Sequence, residues 1–305
     1  MIFRYEYQGG VWVDLERPSE DEVREVMHEF SVSERIGTEV LSPTPLPLVA
    51  GDASTALLVL HFPIPRSDDG ETKSQEIDFI VGEHFIVTVR YELVISLHLL
   101  KKLLETEMAV VGSTSVTTDV FLEILFTHLY TSVRDHISHS ATQLTRVEQE
   151  MFDGRERQTV RSISDVSRDF LHLEAMLVNH EEPLARFLKT LGEHDFFGSS
   201  FGDRAARIAA ERMHVTHLIR TYRAVATELR ETNMALLETR QNEIMKALTI
   251  ITIIVLPLEL IAFIFGMHAL GTPLAGNPNA FWIILAIMLG TCAVVALFLS
   301  RKRWI

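Results

Sequence analysis

The sequence predicts an α+β domain that passes into long helices and ends in a hairpin of two transmembrane helices. Three observations lead there. Strand-length apolar segments alternate with turn signals through the first 90 or so residues. From about residue 93 the apolar period becomes that of helices and remains so. Two apolar runs, 247–265 and 281–300, close the chain with one charge between them, Glu259.

In order, segments 2–7 and 11–15 read as strands around the turn Gly9-Gly10. Ser19 and Glu22 form a capping-box pattern that starts a helix. Ser31 and Glu34 repeat it, predicting a second short helix. After Pro43, Pro45 and Pro47 comes the strand-like run 56–62, and 77–81 and 85–90 flank Gly82-Glu83-His84 as a hairpin. Segments 93–106, 117–151 and 158–191 are amphipathic and helical. The stretch 192–202 breaks the period. Beyond it, 203–265 contains no glycine and only Pro257, so one helix of roughly 95 Å is expected. A helix of that length needs lateral support, which copies of itself would provide.

The run 247–265 has 19 residues, near 28 Å at about 1.5 Å each, enough to cross a hydrocarbon core. Arg240 and Lys246 precede it, Arg301, Lys302 and Arg303 follow the second run, and the joining loop is uncharged. The positive-inside rule therefore places both termini in the cytoplasm. The opening MIFRYEYQGG lacks an apolar h-region, so no cleavable signal peptide is expected.

From residue 247 onward the net charge is +2, so the preceding part carries −15 of the chain's −13. That acidity argues against a nucleic-acid partner and suits equally a domain that meets cations and one that is simply kept soluble by its charge. Cys292, the single cysteine, falls in the second apolar run, which excludes a disulfide framework and a thiolate zinc site within one chain. There is no phosphate loop of the Walker type and no HExxH, which argues against a pumping ATPase or a metalloprotease; no enzyme activity and no prosthetic group are expected.

Steps of three and four along the last long helix connect Asn242, Met245, Thr249, Thr252, Leu256, Glu259, Phe263 and Gly266, a stripe holding most polar groups of the run. A charge at mid-membrane costs about 2.5 to 3.5 kcal/mol on insertion scales, so Glu259 must face a bundle interior or water. Two transmembrane helices cannot enclose a pore, so lining one requires oligomerisation. The other reading is structural: a protonated Glu259 bonded to a neighbouring helix, with Thr249 and Thr252 bonded to their own backbone. Followed backwards, the stripe reaches Glu238 and Glu231, which would form acidic rings, or a solvated face. His136/His139 and His214/His217 have helical metal-ligand spacing, as isolated pairs often do on solvated surfaces.

Asn242-Glu-Ile-Met-Lys-Ala-Leu-Thr-Ile-Ile-Thr, Pro257 and Gly266-Met267 together resemble the pore helix and signature of the CorA-type divalent cation transporters, which include the zinc transporter ZntB. Val11-Trp-Val-Asp-Leu and Ile77-Asp-Phe-Ile-Val-Gly resemble the amino-terminal domain of that family. The resemblance implies a homopentameric funnel of cytoplasmic α/β/α sandwich domains, each feeding a stalk helix into the pore, in the cell (inner) membrane. On that basis the chain divides into an α/β subdomain (1–112), long antiparallel helices (113–202), a stalk helix (203–246) and a pore-lining helix (247–265). An outer loop with Gly-Met-His (266–280), a second transmembrane helix (281–300) and a basic tail (301–305) complete it. Ala286, Gly290 and Ala293 suit a close helix contact.

The family signature is Gly-Met-Asn; here Gly266 and Met267 match and His268 replaces Asn. Magnesium prefers oxygen and gives up water reluctantly, whereas imidazole suits zinc, nickel or cobalt. Glu259 stands where magnesium-transporting members typically place Thr, and the neutral loop resembles the zinc branch. The expected function is transport of Mg2+ or Zn2+, with Co2+ and Ni2+ as further candidates, the same ions being candidate regulators. Glu231 and Glu238 would gather cations, Asn242 and Thr252 would line the entrance and channel, and Met245, Leu256 and Phe263 would form constrictions. Glu259 would bind at mid-membrane, with Gly266, Met267 and His268 at the outer mouth. The alternative is a non-conducting, membrane-anchored cation sensor or interaction protein.

Overall fold

The structure is a computed structural model that describes residues 1–64, 74–111, 116–194, 196–267 and 278–302. It divides into two compact units, Met1–Arg230 and Glu231–Ile305.

The first unit is built on a six-stranded sheet: β1 (Ile2–Tyr7), β2 (Gly10–Glu16), β3 (Leu48–Gly51), β4 (Ala56–Pro63), β5 (Ser74–Gly82) and β6 (Phe85–Arg90). Their order is β1-β2-β6-β5-β4-β3, antiparallel except for the β2–β6 pair. The parallel pair requires a crossover, which the helices α1 (Glu20–Glu29) and α2 (Glu34–Glu39) and the three following strands supply. Alternation along each strand then sends side chains to two different cores. Val13, Leu15, Val59, Ile80, Val87 and Val89 join Val23, Val26 and Ile36 on the α1/α2 face. On the other face Tyr5, Tyr7 and Trp12 meet Phe121, and Phe79 stacks on Phe126, both rings of α4 (Thr118–Phe152). The sheet therefore lies between two helical layers, an α/β/α sandwich.

The Ser19–Glu22 capping box forms as expected, with both reciprocal hydrogen bonds present. The second helix differs: its N-cap is Ser33, and Ser31 instead ends α1. Ser31 adopts φ 51, its N–H donates to the His28 carbonyl, and the Val32 N–H donates to that of Met27. This is a Schellman ending without glycine, and it uses the position a capping role would have needed. Gly10 is required by close approach, since a Cβ there would lie 2.0 Å from the His84 carbonyl oxygen.

Polar residues on the second face of the sheet form a buried ion cluster. Asp14 accepts from Thr88 Oγ1 (2.7 Å) and Arg90 Nη2 (3.0 Å), and the Arg90 Nη2 also reaches Glu16 (2.7 Å). Lys101, from α3 (Ile95–Val111), approaches Asp14 at 2.5 Å and docks that helix on the sheet.

The expected single helix over 158–191 is two helices, α5 (Glu156–Asn179) and α6 (Glu181–Glu193). Pro183 cannot donate to the Asn179 carbonyl and its ring crowds it, so the break falls there. His180 occupies the junction, fully buried, with Nε2–H donating to the His61 carbonyl (2.7 Å) and the Tyr130 hydroxyl 3.5 Å from Nδ1. Burial holds its imidazole neutral, its pKa pushed down to about 4.

The helix α7 (Phe201–Gly266) is continuous over 66 residues. Within the first unit Phe201, Ile208, Val215, Ile219 and Ala226 are buried, and Tyr222 stacks on Phe170 of α5. Glu123 of α4 receives Arg207, and Glu174 of α5 receives Arg220 (3.1 Å) and Arg223. Hydrogen bonding from Arg207 holds the Glu123 carboxyl below its usual range. The last helix is α8 (Ala280–Arg301).

Candidate functional site

The second unit consists of the end of α7 and α8, with the loop between them. Both helices are long and apolar enough to cross a membrane. Pro257 interrupts the hydrogen-bond ladder of α7 by leaving the Ile253 carbonyl without its donor, yet the helix continues to Gly266.

Burial separates the faces of α7. Ile250, Ile254, Pro257, Leu258, Ile261 and Phe265 are half-buried and follow one another at helical spacing. On α8 the half-buried set is Ile284, Met288, Thr291, Cys292 and Val295, with Leu299 fully buried, again at steps of three and four. These two stripes are the more covered faces of the two helices.

The remaining side of α7 carries the expected site. At about 100° per residue, Asn242, Met245, Thr249, Thr252, Leu256, Glu259, Phe263 and Gly266 occupy an arc of about 120°, centred opposite the covered face. Glu231 and Glu238 fall on the same arc. All are exposed except Thr249, which lies half-buried at its edge; Met245, Leu256 and Phe263 are 53%, 59% and 71% exposed. Arg240 and Lys246 lie off the arc by helical phase. The stripe is therefore acidic and polar with three large apolar side chains spaced along it. Asn242 and Glu259 are about 25 Å apart along the axis, and Glu259 and Gly266 about 10 Å.

The threonines use their hydroxyl hydrogens within the helix. Thr249 Oγ1 donates to the Met245 carbonyl (2.8 Å) and Thr252 Oγ1 to that of Leu248 (2.9 Å), which leaves the oxygen lone pairs facing outward. Gly266 ends α7 with nothing within 4 Å of where a Cβ would stand, and the Met267 N–H donates to the Phe263 carbonyl (3.1 Å). His268 lies outside the described residues, as does most of the loop expected over 266–280. Ala286, Gly290 and Ala293 are exposed on α8, so they are not the contact between the two helices of one chain.

The histidine pairs do not converge. His136 Nε2 lies 3.4 Å from Asp169, and His139 Nε2 lies 3.0 Å from the Gln143 amide. His214 and His217 are both exposed. Among the described residues, no group of three or more His, Cys, Asp or Glu side chains is placed to hold a metal ion. Each level of the stripe supplies one polar side chain, so a cation could be surrounded there only by copies of the same residue.

Sequence reasoning did not single out the buried ionisable groups Asp14, Arg90, Glu76 and Asp78. Their signal was present: each is a charged residue at an inward position of a strand that otherwise alternates or runs apolar.

Comparison with known proteins agrees with this architecture. The cobalt/magnesium transport protein CorA of Methanocaldococcus jannaschii is 21% identical over 309 residues, covering 97% of this chain and 91% of its own length. The complete structure of the CorA magnesium transporter from Methanocaldococcus jannaschii superposes with a TM-score of 0.82 at 19% identity, covering 99% of this chain and 94% of that one. The ZntB cytoplasmic domain from Vibrio parahaemolyticus matches more distantly, with a TM-score of 0.57 at 10% identity over 76% of this chain and 89% of that one. At these identities the structures establish the fold: a mixed α/β sheet domain, a long helix and a two-helix membrane segment. The sequence profile of the CorA-like Mg2+ transporter proteins matches residues 7–303, and the chain belongs to that family of membrane cation transporters.

Proposed function

We propose that this chain carries divalent metal cations across a membrane through the axial pore of a homopentamer lined by the exposed stripe of α7. One observation carries the reading: the exposed face of α7, opposite its half-buried one, is the face that holds Asn242, Thr252 and Glu259. A carboxylate left toward lipid at mid-membrane is costly, whereas around a shared axis it meets water and ions.

Glu231 and Glu238 concentrate cations at the cytoplasmic mouth, both termini being cytoplasmic. Asn242 then receives an ion that keeps its water shell, and Thr252 offers outward lone pairs farther along. Met245, Leu256 and Phe263 narrow the path with apolar rings that close by dewetting. Glu259 binds the ion at mid-membrane, and Gly266, Met267 and His268 form the outer mouth. No bond is made or broken.

The relative is named for cobalt and magnesium, and the superposed transporter for magnesium. His268 in place of Asn, and the additional carboxylate at 259, extend the range toward zinc and nickel, which accept imidazole. The retained polar stripe favours conduction over a sensor without flux, because a sensor has no need of an uncovered mid-membrane carboxylate. Reconstitution in liposomes with Mg2+, Zn2+, Co2+ and Ni2+ supplied separately tests this. Uptake of at least one above protein-free vesicles is expected, and no uptake of any overturns it.

A further inference from the structure

Beneath the α1/α2 layer, three side chains from the sheet grip the backbone of the Pro-rich segment that joins α2 to β3. The Tyr91 hydroxyl lies 2.9 Å from the Val40 carbonyl. Glu76 accepts from the Thr44 N–H (2.6 Å) and from Thr44 Oγ1 (3.2 Å). His61 Nε2 lies 3.0 Å from the Thr44 carbonyl and 3.7 Å from Glu76. Pro43, Pro45 and Pro47 have no N–H of their own, so the segment depends on these few contacts.

Asp78, two residues along β5 on the same face as Glu76, completes the group. It is fully buried, and its Oδ2 lies 3.2 Å from the Tyr91 hydroxyl. Hydrogen accounting fixes its protonation. Tyr91 has one hydroxyl hydrogen, and the Val40 carbonyl, which is nearer and can only accept, takes it. The Asp78–Tyr91 contact then needs a hydrogen from Asp78. Both oxygens of Glu76 accept from Thr44, which assigns the negative charge to Glu76 and the proton to Asp78. Asp78 Oδ1 has no hydrogen-bond partner, a tolerable state for a carboxylic acid and a costly one for a buried carboxylate.

We propose that the proton held by Asp78, beside the charged Glu76, locks segment 40–47 onto the sheet, and that losing this proton releases the segment. With the proton gone, two buried carboxylates stand side by side, and the Tyr91 oxygen faces one of them without a hydrogen between. Burial first, then the neighbouring Glu76 charge, raises the Asp78 pKa well above its usual range, so loss of the proton is deferred to higher pH. The ionisable groups bearing on the pair are Tyr91 and His61. The released segment includes a wall of a cleft of about 220 Å³, where Pro45, Leu46 and Pro47 face His172, Asn179 and His180 at the α5–α6 junction. Proton activity on that side of the membrane thereby sets access to the junction.

Peptide-resolved hydrogen exchange on the full-length protein in lipid nanodiscs, between pH 5 and 9 and corrected for intrinsic exchange, tests the lock through the Thr44 amide. One proton lost on opening makes the opening equilibrium rise about tenfold per pH unit across the titration window. Asp78→Asn keeps the shape and removes the titration, so its profile is flat. Glu76→Gln keeps an acceptor for Thr44 and removes the repulsion, so its total rise is smaller than wild type. A flat wild-type profile, or the same rise in the wild type and both variants, overturns the proposal.

Discussion

Replacing Glu259 by Gln removes one charge per chain from the proposed pathway and changes little else. The side chain is exposed on α7, one turn from Leu256 and one from Phe263, and no hydrogen bond or ion pair ties it to another of the described residues. A divalent ion that keeps its water shell stands about 5 Å from a carboxylate, the sum of a metal–water and a water–carboxylate distance. Two charges facing one across that gap interact by roughly 1.7 kcal/mol at the dielectric of water, and by several times more at an effective value of about 20. Even the lower figure exceeds the 1.4 kcal/mol that changes affinity about tenfold. Glu259→Gln is therefore expected to raise the half-saturating cation concentration at least about tenfold in liposome flux, with the oligomer intact by size-exclusion chromatography in detergent. Wild-type half-saturation and wild-type rate, with the oligomer preserved, refute the assignment of Glu259 to the pathway.

Other outcomes follow from particular groups. In the proposed pore a ring of His268 side chains would repel cations once protonated, so flux should weaken as pH falls through about 6.5, and His268→Asn should flatten that dependence; an unchanged profile in the variant removes His268 from the pathway. Asp14→Ala leaves Arg90 and Lys101 buried without their shared partner and should cost about 3–5 kcal/mol, read as a lower melting temperature of the full-length protein. His180, with its pKa pushed down to about 4, stays neutral in the fold while the unfolded chain gains a proton below about 6.5. Its contribution is thus present above pH 6.5 and lost as pH falls toward 4, by about 3 kcal/mol in all. The melting-temperature gap between wild type and His180→Gln should therefore narrow over that interval.

Where local rules act alone, the sequence is a good guide to this fold. The Ser19–Glu22 box, the period change near residue 93 and the two apolar runs all correspond to observed elements, because capping, amphipathicity and membrane length are set by neighbours in sequence. The short edge strand β3 was hidden, since Leu48–Gly51 follows three prolines and owes its conformation to pairing with β4. Ser31 misled because two serines compete for one helix start, and the requirement for a left-handed residue after α1 decides between them. Pro183 broke a helix that periodicity alone would continue. The polar stripe of α7 was legible because helical phase is exact enough over six turns to gather Asn242, Thr252 and Glu259 on one side. The lock at Glu76 and Asp78 needed three dimensions, for its parts come from residues 40, 44, 61, 76, 78 and 91.

The central claim, that the uncovered stripe of α7 faces a water-filled path, is tested most directly by cysteine scanning of the reconstituted protein after Cys292→Ser. Single cysteines at 245, 252, 256, 259 and 263 are expected to react with a membrane-impermeant thiol reagent and to lose flux on modification. Those at 250, 254, 257 and 261 are expected to remain unmodified. Equal labelling of both sets, or labelling of the second set alone, contradicts the account.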